Sequence, residues 1–268
     1  MRFRVGVLAA VAPLFAGLAC GGFSSVDDAN PQGDGGPDEA APLLDGTVEI
    51  GSPTDASVGC PDGGFCDNFD VDEAGARWAA MSVSELATLT LEASGSHSPP
   101  FALRTTVSPG APSVARYAYL ERVLAPAPSW LRCSVFMRFS GAFDGGGAGF
   151  VDLFYLKARA EAEGVLYYYV AIGGPSANLT LREFRCSEGG CASPPQTPLF
   201  TAAPDRWFSI VLTTDFRTGT VVVDGDVRFD GPMANFTPTA ASIVLGVNAP
   251  AGSAAADVSF DDLVCELR

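Results

Sequence analysis

The chain has 268 residues, 47% of them apolar, which is enough to bury one large core. Its formal charge of −15 argues against a nucleic-acid partner, because phosphate contacts need a positive face. The 16 basic residues are 15 Arg and one Lys, a skew that reads as codon bias and carries no functional weight.

Arg2 and Arg4 precede an apolar run from Val5 to Leu18, too short for a membrane-spanning helix of about 20 residues. The pattern predicts a signal peptide over residues 1–19. The run ends in FAGLACGG, with Cys20 directly after small residues. This resembles a bacterial lipobox, which implies that Cys20 is lipidated and becomes the mature N-terminus; Gly17 departs from the usual Leu at its position. Ordinary cleavage nearby is the alternative. With Cys20 set aside, six of the seven cysteines remain, an even number in an exported chain. CPDGGFC and CSEGGC predict the pairs Cys60–Cys66 and Cys186–Cys191, each closing a tight Gly-containing turn. By elimination Cys133 then pairs with Cys265. Zinc is disfavoured, because the single His, His97, lies far from both pairs.

Residues 20–59 hold eight acidic side chains, no basic ones and little that could form a core, which predicts a disordered tether. From residue 60 onward, short runs rich in Val, Thr, Tyr, Phe and Leu alternate with Gly, Pro, Asn and Asp. No window sustains a helical period. The fold class expected for 60–268 is therefore all-β, an antiparallel two-sheet jelly-roll sandwich of about 12 strands. In WLRCSVFMRF, alternation sends Leu131, Cys133, Val135, Met137 and Phe139 to one face and Arg132, Ser134, Phe136 and Arg138 to the other. RTGTVVVDGDVRF predicts a hairpin turning at Asp224-Gly225. Trp130 and Trp207 each start an apolar strand and are expected in the core.

Three segments carry a resemblance to a known family. FCDNFD followed by Trp78, DRWFSIVLTTDFRTGTVVVDGDVRF, and SIVLGVNAPAGSAAADVSFDDLVCEL occur in the order found in concanavalin A-like lectin/glucanase domains of the laminin G-like type. The likeness spans Cys60 to Arg268. It implies glycan or glycoprotein binding on a concave sheet, with hydrolases and lyases in some branches. It also implies that Asp261 matches a terminal-strand calcium ligand, so calcium is the one cofactor raised. The rival reading is that Asp261 and Asp262 cap or solvate an edge strand.

Catalysis finds no complete motif. Retaining glucanases of this fold carry Glu-x-Asp-x-Glu strands, whose alternation holds two carboxyls about 5–5.5 Å apart. Glu161 and Glu163 are the one close pair that is similar, and they lack the middle Asp and the third acid. A hairpin turn before Gly164 accounts for them better. FYLKA, Phe154 to Ala158, faintly resembles the Tyr-Phe-Lys strand of alginate-lyase-like jelly rolls, but no Gln-x-His strand accompanies it.

In GVLYYYVAI, Leu166, Tyr168, Val170 and Ile172 form an apolar face, leaving Tyr167 and Tyr169 about 7 Å apart on the other. Two such rings can stack on sugars. Arg138, Arg182 and Arg104 fall on polar faces of other strands and would add donors for an acidic glycan. The alternative is ordinary cross-strand aromatic pairing.

The reading that follows is a lipid-anchored protein of a bacterial cell envelope, at the outer membrane or cell surface. Its membrane partner is the bilayer reached through the N-terminal lipid, and its domain binds a glycan or surface component without catalysis. A polysaccharide hydrolase or lyase is the first alternative. A structural or adhesion module with a protein partner is the second.

Overall fold

The computed structural model describes residues 60–70, 75–111, 114–141, 143–144, 150–192, 196–249 and 255–268. Cys20, the expected signal peptide over 1–19 and the expected tether over 20–59 lie outside them. The described chain begins with β1 (Phe65–Asp67), β2 (Ala80–Val83), β3 (Ala87–Glu92) and β4 (Ala102–Val107). Longer strands follow as β5 (Arg116–Leu124), β6 (Leu131–Phe139), β7 (Val151–Ala160), β8 (Val165–Gly174) and β9 (Asn178–Ser187). Then come β10 (Gly190–Ala192), β11 (Thr197–Thr201), β12 (Phe208–Thr214) and β13 (Thr218–Val223). The series closes with β14 (Asp226–Pro232), β15 (Ala240–Ala249) and β16 (Ala256–Leu267).

These sixteen strands form two antiparallel sheets, as the jelly-roll expectation requires, with more strands than the dozen read from the sequence. The surplus comes from short pieces such as β1, β2 and β10, whose runs are too brief to signal strand periodicity. The first sheet runs β14-β13-β12-β6-β16-β4-β3, with β1 also on β16. The second runs β10-β9-β8-β7-β15-β5-β2, with β11 also on β9.

Alternation builds the core between them. Leu131, Cys133, Val135, Met137 and Phe139 are all buried, facing Ile243, Leu245 and Val247 of β15 and Tyr168, Val170 and Ile172 of β8 within one cluster. Burying each such side chain contributes about 1.5–3 kcal/mol. A bulge between Asp261 and Val264 interrupts β16, so its inward set shifts from Val258 and Phe260 to Leu263 and Cys265. That shift makes Cys265 the direct partner of Cys133, and the two are disulfide-bonded across 4.1 Å between Cα atoms. Cys60–Cys66 is also formed. Cys186 is disulfide-bonded, and the register sets Cys191 opposite it. The Asp224-Gly225 turn joins β13 to β14 with both residues at positive φ, 50° and 87°, as a primed hairpin turn demands.

Two tryptophans depart from expectation. Trp130 and Trp207 are half-buried rather than core, because each stands one residue before an inward-facing Leu131 or Phe208 and so points outward. The guanidinium of Arg268 lies 4.5 Å over the Trp130 ring, and that of Arg138 lies 5.1 Å over Trp207.

Candidate active site on the outer face of the second sheet

Strict alternation along β7 would part Asp152 from Tyr155. A bulge between Asp152 and Phe154 removes one step, so Leu153 and Phe154 both enter the core. Asp152 then shares the outer face with Tyr155 and Lys157. Gly173 makes this possible: a Cβ there would collide with the Val151 carbonyl oxygen across the bulge.

The bulge brings Asp152 to Arg182 of β9. Arg182 Nη2 donates to both carboxylate oxygens, at 2.7 and 2.9 Å. Its guanidinium lies 4.0 Å over the Phe150 ring and 5.7 Å over Tyr169. Burial pushes the Asp152 carboxyl up to about 6, against the pull of Arg182 and of the Tyr169 hydroxyl. That hydroxyl is itself buried with no partner in hydrogen-bonding geometry, so it acts on Asp152 as a nearby dipole.

Beside this pair stands a second charged group. Lys157 Nζ donates to Glu121 Oε2 at 3.0 Å, and Ser242 Oγ donates to Glu121 Oε1 at 2.7 Å. The ammonium lies 5.6 Å from the Tyr119 ring centre and 5.7 Å from that of Tyr155. Tyr167 is the open member of the face, 40% exposed, with its ring 6.2 Å from Tyr169 and nearly parallel to it. Burial, then the charges of Asp152 and Glu121, push its phenol up to about 12, so it holds its proton at neutral pH. Burial likewise raises Tyr155 and Tyr169 above the ordinary phenol range. Glu121, Lys157 and Tyr167 together line a depression of about 380 Å³.

The structure divides the residues read from the sequence. Tyr167, Tyr169 and Arg182 meet on this face. Tyr169, however, is only 7% exposed, packed against Tyr155 and Phe184, and offers no free ring. Leu166 does not join Tyr168 inside: a bulge at Ala158/Ala160 gives the core position to Val165 and leaves Leu166 open. Arg104 and Arg138 belong to the first sheet and do not converge with the tyrosines. Arg104 is held by Asp257, Nη2 to Oδ2 at 2.6 Å, and by Glu92 at 3.2 Å.

Asp261, the expected calcium ligand, is fully buried on β16. Its Oδ2 accepts the backbone N–H groups of His97 and Ser98, both at 2.9 Å, and burial pushes its carboxyl up to about 7. Among the described residues no group of three or more His, Cys, Asp or Glu side chains is placed to hold a metal. His97 stacks on Phe136 at 3.6 Å and contacts Asp262 at 2.9 Å, all on the first sheet's side. Glu161 and Glu163 occupy an exposed 3-10 turn, where Glu163 accepts the Thr237 N–H at 3.0 Å.

Sequence reasoning missed Asp152, Glu121 and Lys157. The available signals were a lone acid inside the apolar run GFVDLFYLKA and the FYLKA segment itself, since Tyr155 and Lys157 do share the outer face.

No protein-family description matches the chain, and no curated protein matches it. Solved structures do resemble it. An endo-β-1,4-glucuronan lyase from the fungus Trichoderma reesei superposes with a TM-score of 0.60 at 12% identity, covering 76% of this chain and 95% of that one. The cellulose-induced protein Cip1 gives 0.57 at 15% identity, covering 75% and 96%. A GlcNAcα1-4Gal-releasing endo-β-galactosidase from Clostridium perfringens gives 0.50 at 7%, covering 75% and 62%. The fold is that of these jelly rolls.

This corrects the expectation of a non-catalytic binder. Two of the three similar folds are polysaccharide-cleaving enzymes by name. The face expected to be an open aromatic platform has one of its two rings buried, with a Glu–Lys pair set beside the other.

Proposed function

We propose that the chain is a polysaccharide-degrading enzyme, with the outer face of the second sheet as its substrate surface, and that it acts by β-elimination on a uronate-containing polymer. The observation that carries the reading is the meeting of a carboxylate, a cation and a protonated phenol, Glu121, Lys157 and Tyr167, in one depression. The similar fold of a glucuronan lyase supports it.

Elimination needs those three roles. Lys157 neutralises the uronate carboxylate, which makes the adjacent C5 proton removable. Glu121 accepts that proton. The electron pair forms the C4=C5 double bond as the C4–O4 bond breaks, and Tyr167 gives its proton to the departing O4. Arg182, fixed by Asp152, packs its guanidinium over the Tyr169 ring behind Tyr167. Hydrolysis by paired carboxylates is the weaker reading, because Asp152 is buried and already bound to Arg182. The laminin G-like resemblance and a lipid anchor at Cys20 complete the picture as an envelope-attached enzyme. Mass spectrometry of the mature N-terminus would find a free or absent Cys20 if the anchor is wrong.

The test is the rate of viscosity loss of glucuronan, alginate and polygalacturonan with the wild type and Glu121→Gln. Acid–base catalysis contributes about 10²–10⁴-fold, so the variant should lose at least that lower factor. Equal rates for the two proteins would sink the assignment.

A further inference from the structure

The depression holding Glu121, Lys157 and Tyr167 has a wall that the elimination chemistry does not use. Val123, Leu166, Ala240 and Ala241 line it, and Val123 and Leu166 remain 55% and 47% exposed. Leu166 is there because the bulge at Ala158/Ala160 turns it outward, beside Tyr167. Arg159 also lines the depression, and its contact with Glu161, at 3.6 Å, is longer than a hydrogen bond. Aliphatic surface and an exposed guanidinium thus meet at one place.

We propose that this wall is a subsite for a short acyl ester, of the O-acetyl class, carried by the polysaccharide. The inference rests on this face being the substrate surface. An unsubstituted sugar would press hydroxyl groups against the aliphatic wall, where they would lose water without gaining partners. A sugar ring seeking a stacking face would find one only on Tyr167. An acetyl group brings one methyl, which matches Val123, Leu166 and the two alanines. It also brings one carbonyl oxygen, an acceptor for Arg159. A volume of about 380 Å³ admits a substituted sugar.

The experiment compares initial cleavage rates on glucuronan, alginate and polygalacturonan, each unmodified and lightly O-acetylated with acetic anhydride. Wild-type protein, Leu166→Asp and Val123→Ser are assayed side by side. One methyl-sized contact discriminates by roughly tenfold, so at least one acetylated polymer should be cleaved about that much faster than its parent. The preference should fall to about unity in Leu166→Asp and shrink in Val123→Ser. Equal wild-type rates would overturn the subsite and leave the substrate surface standing. A preference undiminished in both variants would place acyl recognition elsewhere and equally overturn it. Failure to cleave any polymer in either form would remove the substrate surface and this subsite together.

Discussion

Arg182 reaches across β8 to bind both oxygens of Asp152, at 2.7 and 2.9 Å, although the two residues are 30 apart in sequence. The carboxyl is buried while the guanidinium keeps partial exposure. Asp152→Ala would leave Arg182 without its counter-charge under the Phe150 ring. Breaking a fully buried pair costs about 3–5 kcal/mol, and the exposure of Arg182 reduces this to about 1–3. Urea unfolding of Asp152→Ala would measure it; an unchanged midpoint would mean that the pair contributes nothing.

The two tyrosines should separate stability from activity. Tyr169→Ala empties a buried site between Tyr155 and Phe184 and should cost about 3–5 kcal/mol. Tyr167→Phe removes one exposed hydroxyl and should leave the unfolding midpoint within about 0.5 kcal/mol of wild type. Its cleavage rate should nonetheless drop about 10²-fold or more, since it would no longer protonate the leaving oxygen. Parallel thermal melts and polymer assays would expose a merely structural Tyr167 by a full rate.

Burial raises two carboxyls, Asp152 to about 6 and Asp261 to about 7. Both exceed the unfolded value of about 4, so the native state binds more protons than the unfolded chain in that window. Stability from these groups is therefore greatest at low pH and is lost as pH rises through 6 and then 7. Asp261→Asn removes the second step, and its stability relative to wild type should rise from pH 5 to pH 7. A difference independent of pH, followed by calorimetry, would show that Asp261 does not titrate there.

The disulfides should rank by loop length. Cys133–Cys265 spans 132 residues and Cys60–Cys66 only 6. Chain entropy assigns the long loop about 4–5 kcal/mol and the short one about 2. Denaturant unfolding of the two double-alanine variants should reproduce that order; the reverse order would mean that native-state packing, not loop closure, sets the cost.

Much of the fold was legible: period-two alternation gave the inward set on β6, the Asp-Gly dipeptide marked the turn at Asp224-Gly225, and elimination among six cysteines left the long Cys133–Cys265 pairing. The site was less legible because it is built on departures from that period. The bulge after Asp152 joins it to Tyr155, and the bulge at Ala158/Ala160 turns Leu166 out. Neither leaves a mark in composition. The grouping of Glu121 with Lys157 depends on the sheet order β7-β15-β5, which sets strands distant in sequence two places apart. The same blindness placed Arg104 and Arg138 with Tyr167, since a polar face read on one strand does not say which sheet that strand joins.

The most direct measurement is mass spectrometry of the chain ends released from glucuronan, alginate and polygalacturonan by the wild type and by Lys157→Ala. Elimination predicts products one water lighter than hydrolysis would give, carrying the C4=C5 double bond, and a loss of at least about 10²-fold in Lys157→Ala. Saturated ends, or an undiminished rate without the only lysine of the chain, would contradict the account.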